Sequence, residues 1–226
     1  MTPTEIARLI DHTLLKPEAT REDVARICEE ALRFEFASVC VNACYVAQVA
    51  EVLRGSPVKT CAVVGFPLGA TLTSVKVFEA NEAIRLGARE IDMVITIGAL
   101  KSGDDAAAEA DIRAVTEACH RAQAICKVII ETGLLTDGEK IRACRATLAS
   151  GADFLKTSTG FGHGGATVED VKLIRSLIGS KMGLKASGGI RTWRDCQLLL
   201  AAGATRIGTS AGVKILEEAR AAAAIP

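Results

Sequence analysis

Three stretches, RLGAREIDMV (85–94), ASGADFLKTS (149–158) and AAGATRIGTS (201–210), repeat one local plan. Each reads as the end of a helix, a Gly-Ala pair, two variable residues and an apolar run. The glycines at 87, 151 and 203 suit left-handed helix C-caps, needed where the chain turns from an outer helix back into a strand. Five residues beyond each glycine stand Asp92, Lys156 and Gly208, which therefore hold the same place in three equivalent units. If one faces the interior of a closed sheet, all three do. Barrel grammar explains the glycines, but not a carboxylate and an ammonium where branched aliphatic residues normally sit.

The same alternation runs from end to end. Strand-like runs at 10–15 (IDHTLL), 36–41, 59–64, 90–95, 127–131, 154–157, 183–186 and 206–208 alternate with amphipathic helical stretches. One such stretch, REDVARICEEALRF, has Thr20 as a suitable N-cap ahead of the acids Glu22 and Asp23. About eight strand–helix units with no compositional break predict a single (β/α)8 TIM barrel over residues 1–226, with a short N-terminal helix, rather than an open sheet.

The totals narrow the function. Lys plus Arg and Asp plus Glu both number 27, so no net field attracts nucleic acid or an anionic membrane, and any anion site must be local. An aromatic content of 4% is too low for the stacking platforms of single-stranded nucleic-acid binders. The N-terminus, MTPTEIARLIDHTLL, is amphipathic and carries acids, unlike a signal peptide, and no apolar run reaches transmembrane length. A soluble cytoplasmic protein is expected. Eight cysteines without CxxC spacing read as reduced core thiols, and three separated histidines give no zinc motif, so neither metal nor cofactor is expected.

The chemistry gathers at the late strands. Lys156 in FLKTSTG and Lys185 in GLKASGGIRT lie on consecutive strands, near the end where barrels build their active sites. Two ammonium groups that close repel, and partial burial disfavours both charges, so one is pushed toward neutrality. Lowering a lysine from ~10.4 to roughly 7–8 takes about 4 kcal/mol and yields an amine able to form a Schiff base. One such lysine could merely snorkel at the rim. Two of them beside Asp92 point to a functional cluster. Lys127, which opens the run KVIIE, could be a further inward charge, but it is expected nearer the opposite end of the barrel and ranks lower.

Glycine turns follow two of these strands, SGGI (187–190) and GTSAG (208–212), and together they favour a phosphate cradle. GFGHGG (160–165) matches a dinucleotide fingerprint, but Lys185-Ala186-Ser187 stands where the ribose-binding acid is required, so nicotinamide binding is rejected. His163 in that loop is a candidate general acid, although an exposed loop histidine is the commoner outcome.

Assembled in order, DHTLLKPEAT (11–20), GFPLGA (65–70), EIDMVITIGALKSG (90–103), KVIIETGLLTD (127–137), ADFLKTSTGFG (152–162) and LKASGGIRT (184–192) make the chain similar to the deoxyribose-phosphate aldolase family of class I aldolases. The resemblance implies Lys156 as the Schiff-base nucleophile, Lys185 as the group that depresses its pKa and Asp92 in proton relay. It further implies Asp11 and Thr13 near substrate hydroxyls, Cys40 in the second strand, and Gly160, Gly188, Gly189 and Ser210 around a phosphate. The implied reaction is reversible cleavage of 2-deoxyribose 5-phosphate to glyceraldehyde 3-phosphate and acetaldehyde, without metal. The partners implied are a sugar phosphate and aldehydes, and a homodimer or higher homo-oligomer is expected. Ala43, Thr96 and His163 depart from the family pattern. The chain also ends at AAAAIP without the tyrosine-bearing tail of some relatives, so closure by such a tail is not assumed. The alternatives are a class I barrel aldolase acting on another phosphorylated sugar, an isomerase working by proton abstraction, and a non-catalytic barrel.

Overall fold

The chain folds as expected for eight strand–helix units. The computed structural model describes residues 1–223, and the last residues of the AAAAIP segment lie outside the described ones. In chain order the elements are α1 (Pro3–Ala7), β1 (Ile10–Leu14), α2 (Arg21–Phe34), β2 (Ser38–Val41), α3 (Val46–Val52), β3 (Lys59–Val64), α4 (Thr73–Arg85), β4 (Glu90–Val94), α5 (Ile97–Lys101), α6 (Asp105–Arg121), β5 (Ile125–Ile129), α7 (Asp137–Ala149), β6 (Phe154–Lys156), α8 (Val168–Ile178), β7 (Gly183–Ser187), α9 (Trp193–Ala201), β8 (Arg206–Thr209) and α10 (Gly212–Ala223). The strands pair in sequence order, each parallel to the next, and β8 closes on β1.

Local chemistry sets the helix starts. Thr20, Thr136 and Thr192 each accept a hydrogen bond from the backbone N–H three residues on, while an acidic side chain at that position returns a bond to the cap. All three repeat glycines have the left-handed backbone the repeat requires, Gly151 with φ of 72°. Gly87 and Gly203 have φ of 112° and 114°, and a Cβ there would lie 2.5 Å from Ala50 Cβ and 2.8 Å from Arg175 Cγ, respectively. Both left-handed backbone and close approach therefore demand glycine.

Apolar and charged side chains part company across the sheet. The large core lies between strands and helices, where Val39, Ile91, Val128, Leu155, Leu184 and Ile207 are fully buried. Each such side chain contributes about 1.5–3 kcal/mol, which sustains the fold independently of what fills the barrel. Inside, the only apolar cluster among the described residues is small, comprising Leu15, Cys40, Cys61 and Val63 with Phe66 against it. The remaining inward positions are largely ionic. Of the boundaries that differ from expectation, one moves a charge: β5 begins at Ile125, two residues before the KVIIE run, so Lys127 sits in mid-strand, register-paired with Asp92.

Candidate active site

The parallel register brings the charged residues together. Lys156 and Lys185 are direct partners across β6 and β7, and Asp92 lies on β4. Asp92 Oδ2 is 2.8 Å from Lys156 Nζ and 2.7 Å from Lys185 Nζ, and its Oδ1 is 2.7 Å from Lys127 Nζ. Lys185 Nζ is also 2.5 Å from Asp11 Oδ2. Beneath, Arg206 Nη1 is 2.6 Å from Asp11 and 3.2 Å from Glu90, while Lys127 Nζ is 2.6 Å from Glu90. Four cationic side chains thus meet three carboxylates inside the barrel. The missing side chain of Gly208 makes room for them, since a Cβ there would lie 2.8 Å from Lys185 Cε.

Burial and charge set the protonation of this cluster. Burial alone would raise the Asp92 carboxyl, but Lys127, Lys156 and Lys185 hold it well below the usual range. Asp11 is likewise raised by burial and overcome by Lys185, Lys127 and Arg206, ending low. Burial would lower Lys185, yet Asp11 and Asp92 lift it above the ordinary lysine value. Lys127, placed by the sequence toward the far end, is part of the cluster, and Asp92, Glu90 and Asp11 raise its pKa against the effect of burial. Cys40, Cys61 and Asp92 could form a metal-ligating triad by distance. Their chemistry opposes it, because Asp92 already accepts three ammonium groups and Lys127 Nζ lies 3.3 Å from Cys61 Sγ.

A cavity of about 390 Å³ opens above Lys156, lined among others by Thr13, Gly160, Gly188, Gly189 and Ser210. Asp92, Lys185, Asp11 and Cys40 do not line it and lie fully buried deeper in the barrel. The turn at Gly160 meets the SGGI turn, for a Cβ on Gly160 would lie 3.7 Å from Gly188 Cα. A larger cavity, about 610 Å³, opens at the other end of the barrel beside Lys59, Gly87 and Arg89. It lacks the buried cluster of opposed charges, and convergence of such groups rather than volume selects the site.

A family model for DeoC/LacD family aldolases matches residues 6–218. The chain belongs to this aldolase family. A deoxyribose-phosphate aldolase of Streptococcus gordonii is 58% identical over 213 residues, covering 94% of this chain and 96% of that protein. One from Geobacillus sp. (strain WCH70) is 54% identical over 212 residues, covering 94% and 95%. The tetrameric deoxyribose phosphate aldolase of Aeropyrum pernix superimposes with a TM-score of 0.92 at 35% identity, covering 98% of this chain and 93% of that one.

Several features of this aldolase were not legible in its sequence. Lys16 and Arg191 reach the cavity mouth from exposed positions. Lys76, which reads as a solvated residue of a helix, is fully buried, with Nζ 2.6 Å from Asp111 Oδ2 and 3.0 Å from Thr96 Oγ1. Thr96 therefore serves this buried pair, and it does not line the cavity. His163 is exposed and does not line the cavity either. Two such residues had a signal, since both Glu131 and Lys127 lie in the quoted motif KVIIETG, but a single sequence gives no partner for either.

Proposed function

We propose that this aldolase cleaves 2-deoxy-D-ribose 5-phosphate reversibly to D-glyceraldehyde 3-phosphate and acetaldehyde through a Schiff base on Lys156. The observation that carries it is the sharing of one Asp92 oxygen by Lys156 and Lys185, with Lys156 alone of the two lining the cavity. Lys185 and Lys127 keep their protons against two or more carboxylates each, which leaves Lys156 as the surplus cation of the cluster. Lys156 pairs with Asp92 alone among these acids, and it lines the cavity.

The amine adds to C1 of the open-chain sugar, and loss of water gives a protonated imine that withdraws electrons from C2. Removal of the C3 hydroxyl proton breaks the C2–C3 bond, releases the phosphorylated aldehyde and leaves an enamine. Protonation at C2 and hydrolysis then free acetaldehyde and the amine. Asp92 is enclosed, so its proton traffic with substrate runs through Lys156, Lys185 or a water. Thr13 and the buried Asp11 and Cys40 shape the deep end, and the turns bearing Gly160, Gly188, Gly189 and Ser210 hold the phosphate end. Replacing Lys156 by Arg keeps the charge and removes the nucleophile. Turnover of 2-deoxyribose 5-phosphate is expected to vanish in Lys156→Arg, and wild-type turnover would overturn the scheme.

Assembly with copies of itself is supported by exposed apolar side chains along the 66–72 loop and α4, where Leu68, Leu72 and Phe78 are 73%, 71% and 68% exposed. Sedimentation velocity is expected to show an oligomer that Phe78→Asp weakens, and a monomeric wild type would contradict it. The free cysteines, seven of the eight buried, fit a reducing cytoplasm.

A further inference from the structure

Glu131 is a buried carboxylate that the reaction does not use. It is 4% exposed, it has a left-handed backbone with φ of 54°, and among the described residues no cation pairs with it. Its partners are both on Thr159: the backbone N–H donates to Oε2 at 3.2 Å and to Oε1 at 3.4 Å, and the hydroxyl donates to Oε2. With its hydrogen committed to Glu131, Thr159 Oγ1 is an acceptor, and the Phe161 N–H donates to it at 3.0 Å. Two glycines let the loop close onto this group. A Cβ on Gly162 would lie 3.1 Å from Glu131 Cδ, and one on Gly133 would lie 2.1 Å from the His163 carbonyl oxygen. Thr159, Gly160 and Phe161 in turn form one wall of the cavity that holds Lys156.

We infer that Glu131 is a positioning residue for the phosphate end of the substrate: through Thr159 it fixes the Thr159–Phe161 turn against the Gly188–Gly189 turn. The inference rests on the reading that this cavity takes a sugar phosphate. A buried acid without a counter-cation is costly, and it persists here because the two donors of one residue satisfy it and so hold the turn. The Glu131 side chain makes its hydrogen bonds to Thr159 and none to Lys156 or Asp92, so the chemistry at C1 to C3 is expected to be insensitive to it.

Steady-state kinetics on 2-deoxyribose 5-phosphate and on unphosphorylated 2-deoxyribose separate these roles. Glu131→Ala is expected to raise KM for the phosphate ester about tenfold or more, the effect of losing hydrogen bonds to a buried group. It should leave kcat within about threefold and leave kcat/KM for the unphosphorylated sugar unchanged. Glu131→Gln keeps one carbonyl oxygen for both Thr159 donors, so it should restore KM. If Glu131→Ala does not fold, Thr159→Val breaks the same link from the other side and must give the same split. Equal losses on both sugars, or no change in KM for the phosphate ester, would overturn the inference. Reductive labelling of Lys156 by acetaldehyde and borohydride should persist in every folded variant. Absence of labelling in the wild type would instead overturn the underlying scheme.

Discussion

The active amine depends on a residue with no side chain. Gly208 lies on β8, register-paired with Asp11, and the space beside it is filled by the Lys185 stem. A methyl group there would meet Lys185 Cε at 2.8 Å and Ser187 Cβ at 2.9 Å. The lysine end can move aside, but Ser187 Cβ moves only with β7, so Gly208→Ala should fold with some loss of stability. Its cost to turnover should come from geometry, because Lys185 Nζ would shift from the oxygens of Asp11 and Asp92. A displacement near 1 Å costs up to ~100-fold in rate, and we expect kcat for sugar-phosphate cleavage to fall between about 10- and 100-fold. Unchanged kcat would show that the position of Lys185 does not matter. The repeat had placed Gly208 in the same position as Asp92 and Lys156, and the structure gives that equivalence a meaning: two positions supply charge and the third supplies room.

Among the elements, α4 ties the cavity mouth to the outer layer. The Lys76 stem runs beneath Gly65, where a Cβ would lie 3.1 Å from Lys76 Cε, and Phe66 next to it packs edge-on against Phe161 at 5.2 Å. Burial lowers the Lys76 pKa, and Asp111 opposes that effect. Removing the acid leaves a buried ammonium unpaired, so Asp111→Ala should cost about 3–5 kcal/mol by denaturant unfolding. The paired change Lys76→Met with Asp111→Leu should recover most of it, and a loss under about 1 kcal/mol for Asp111→Ala would contradict a supporting role. This pair also marks where sequence reading stops. Strand order, the Lys156–Lys185 adjacency and the inward Asp92 followed from periodicity, because period and repeat fix which face a residue takes. Lys76 and Glu131 did not, because a charged residue on a helix or in a loop looks solvated until its partner, 35 or 28 positions away, is known. Lys127 reads as a strand-opening residue, and only the strand's start at Ile125 puts it level with Asp92.

At the scale of the molecule, the barrel stores charge inside and apolar surface outside, so pH acts on it through the interior. Asp11 and Asp92 have folded pKa values below the unfolded value of about 3.9, so their stabilisation is present above that pH and is lost as pH falls through their folded values. Lys127 and Lys185 have raised folded values, so theirs is present below about 10.4 and is lost as pH rises through the folded values. The difference in unfolding free energy between wild type and Asp92→Asn should therefore stay flat from about pH 5 to 9 and shrink below about pH 4. A difference that changes steeply between pH 6 and 7 would contradict this assignment of the interior charges. The apolar shell carries the fold, which allows the interior to be given over to ions.

The most direct test of the central claim is intact mass of the folded protein after acetaldehyde and borohydride, followed by peptide mapping. A single two-carbon reductive adduct on Lys156, with Lys127 and Lys185 unmodified, is the expected result. An adduct on Lys185, or none on folded protein, would contradict the assignment of Lys156 as the nucleophile.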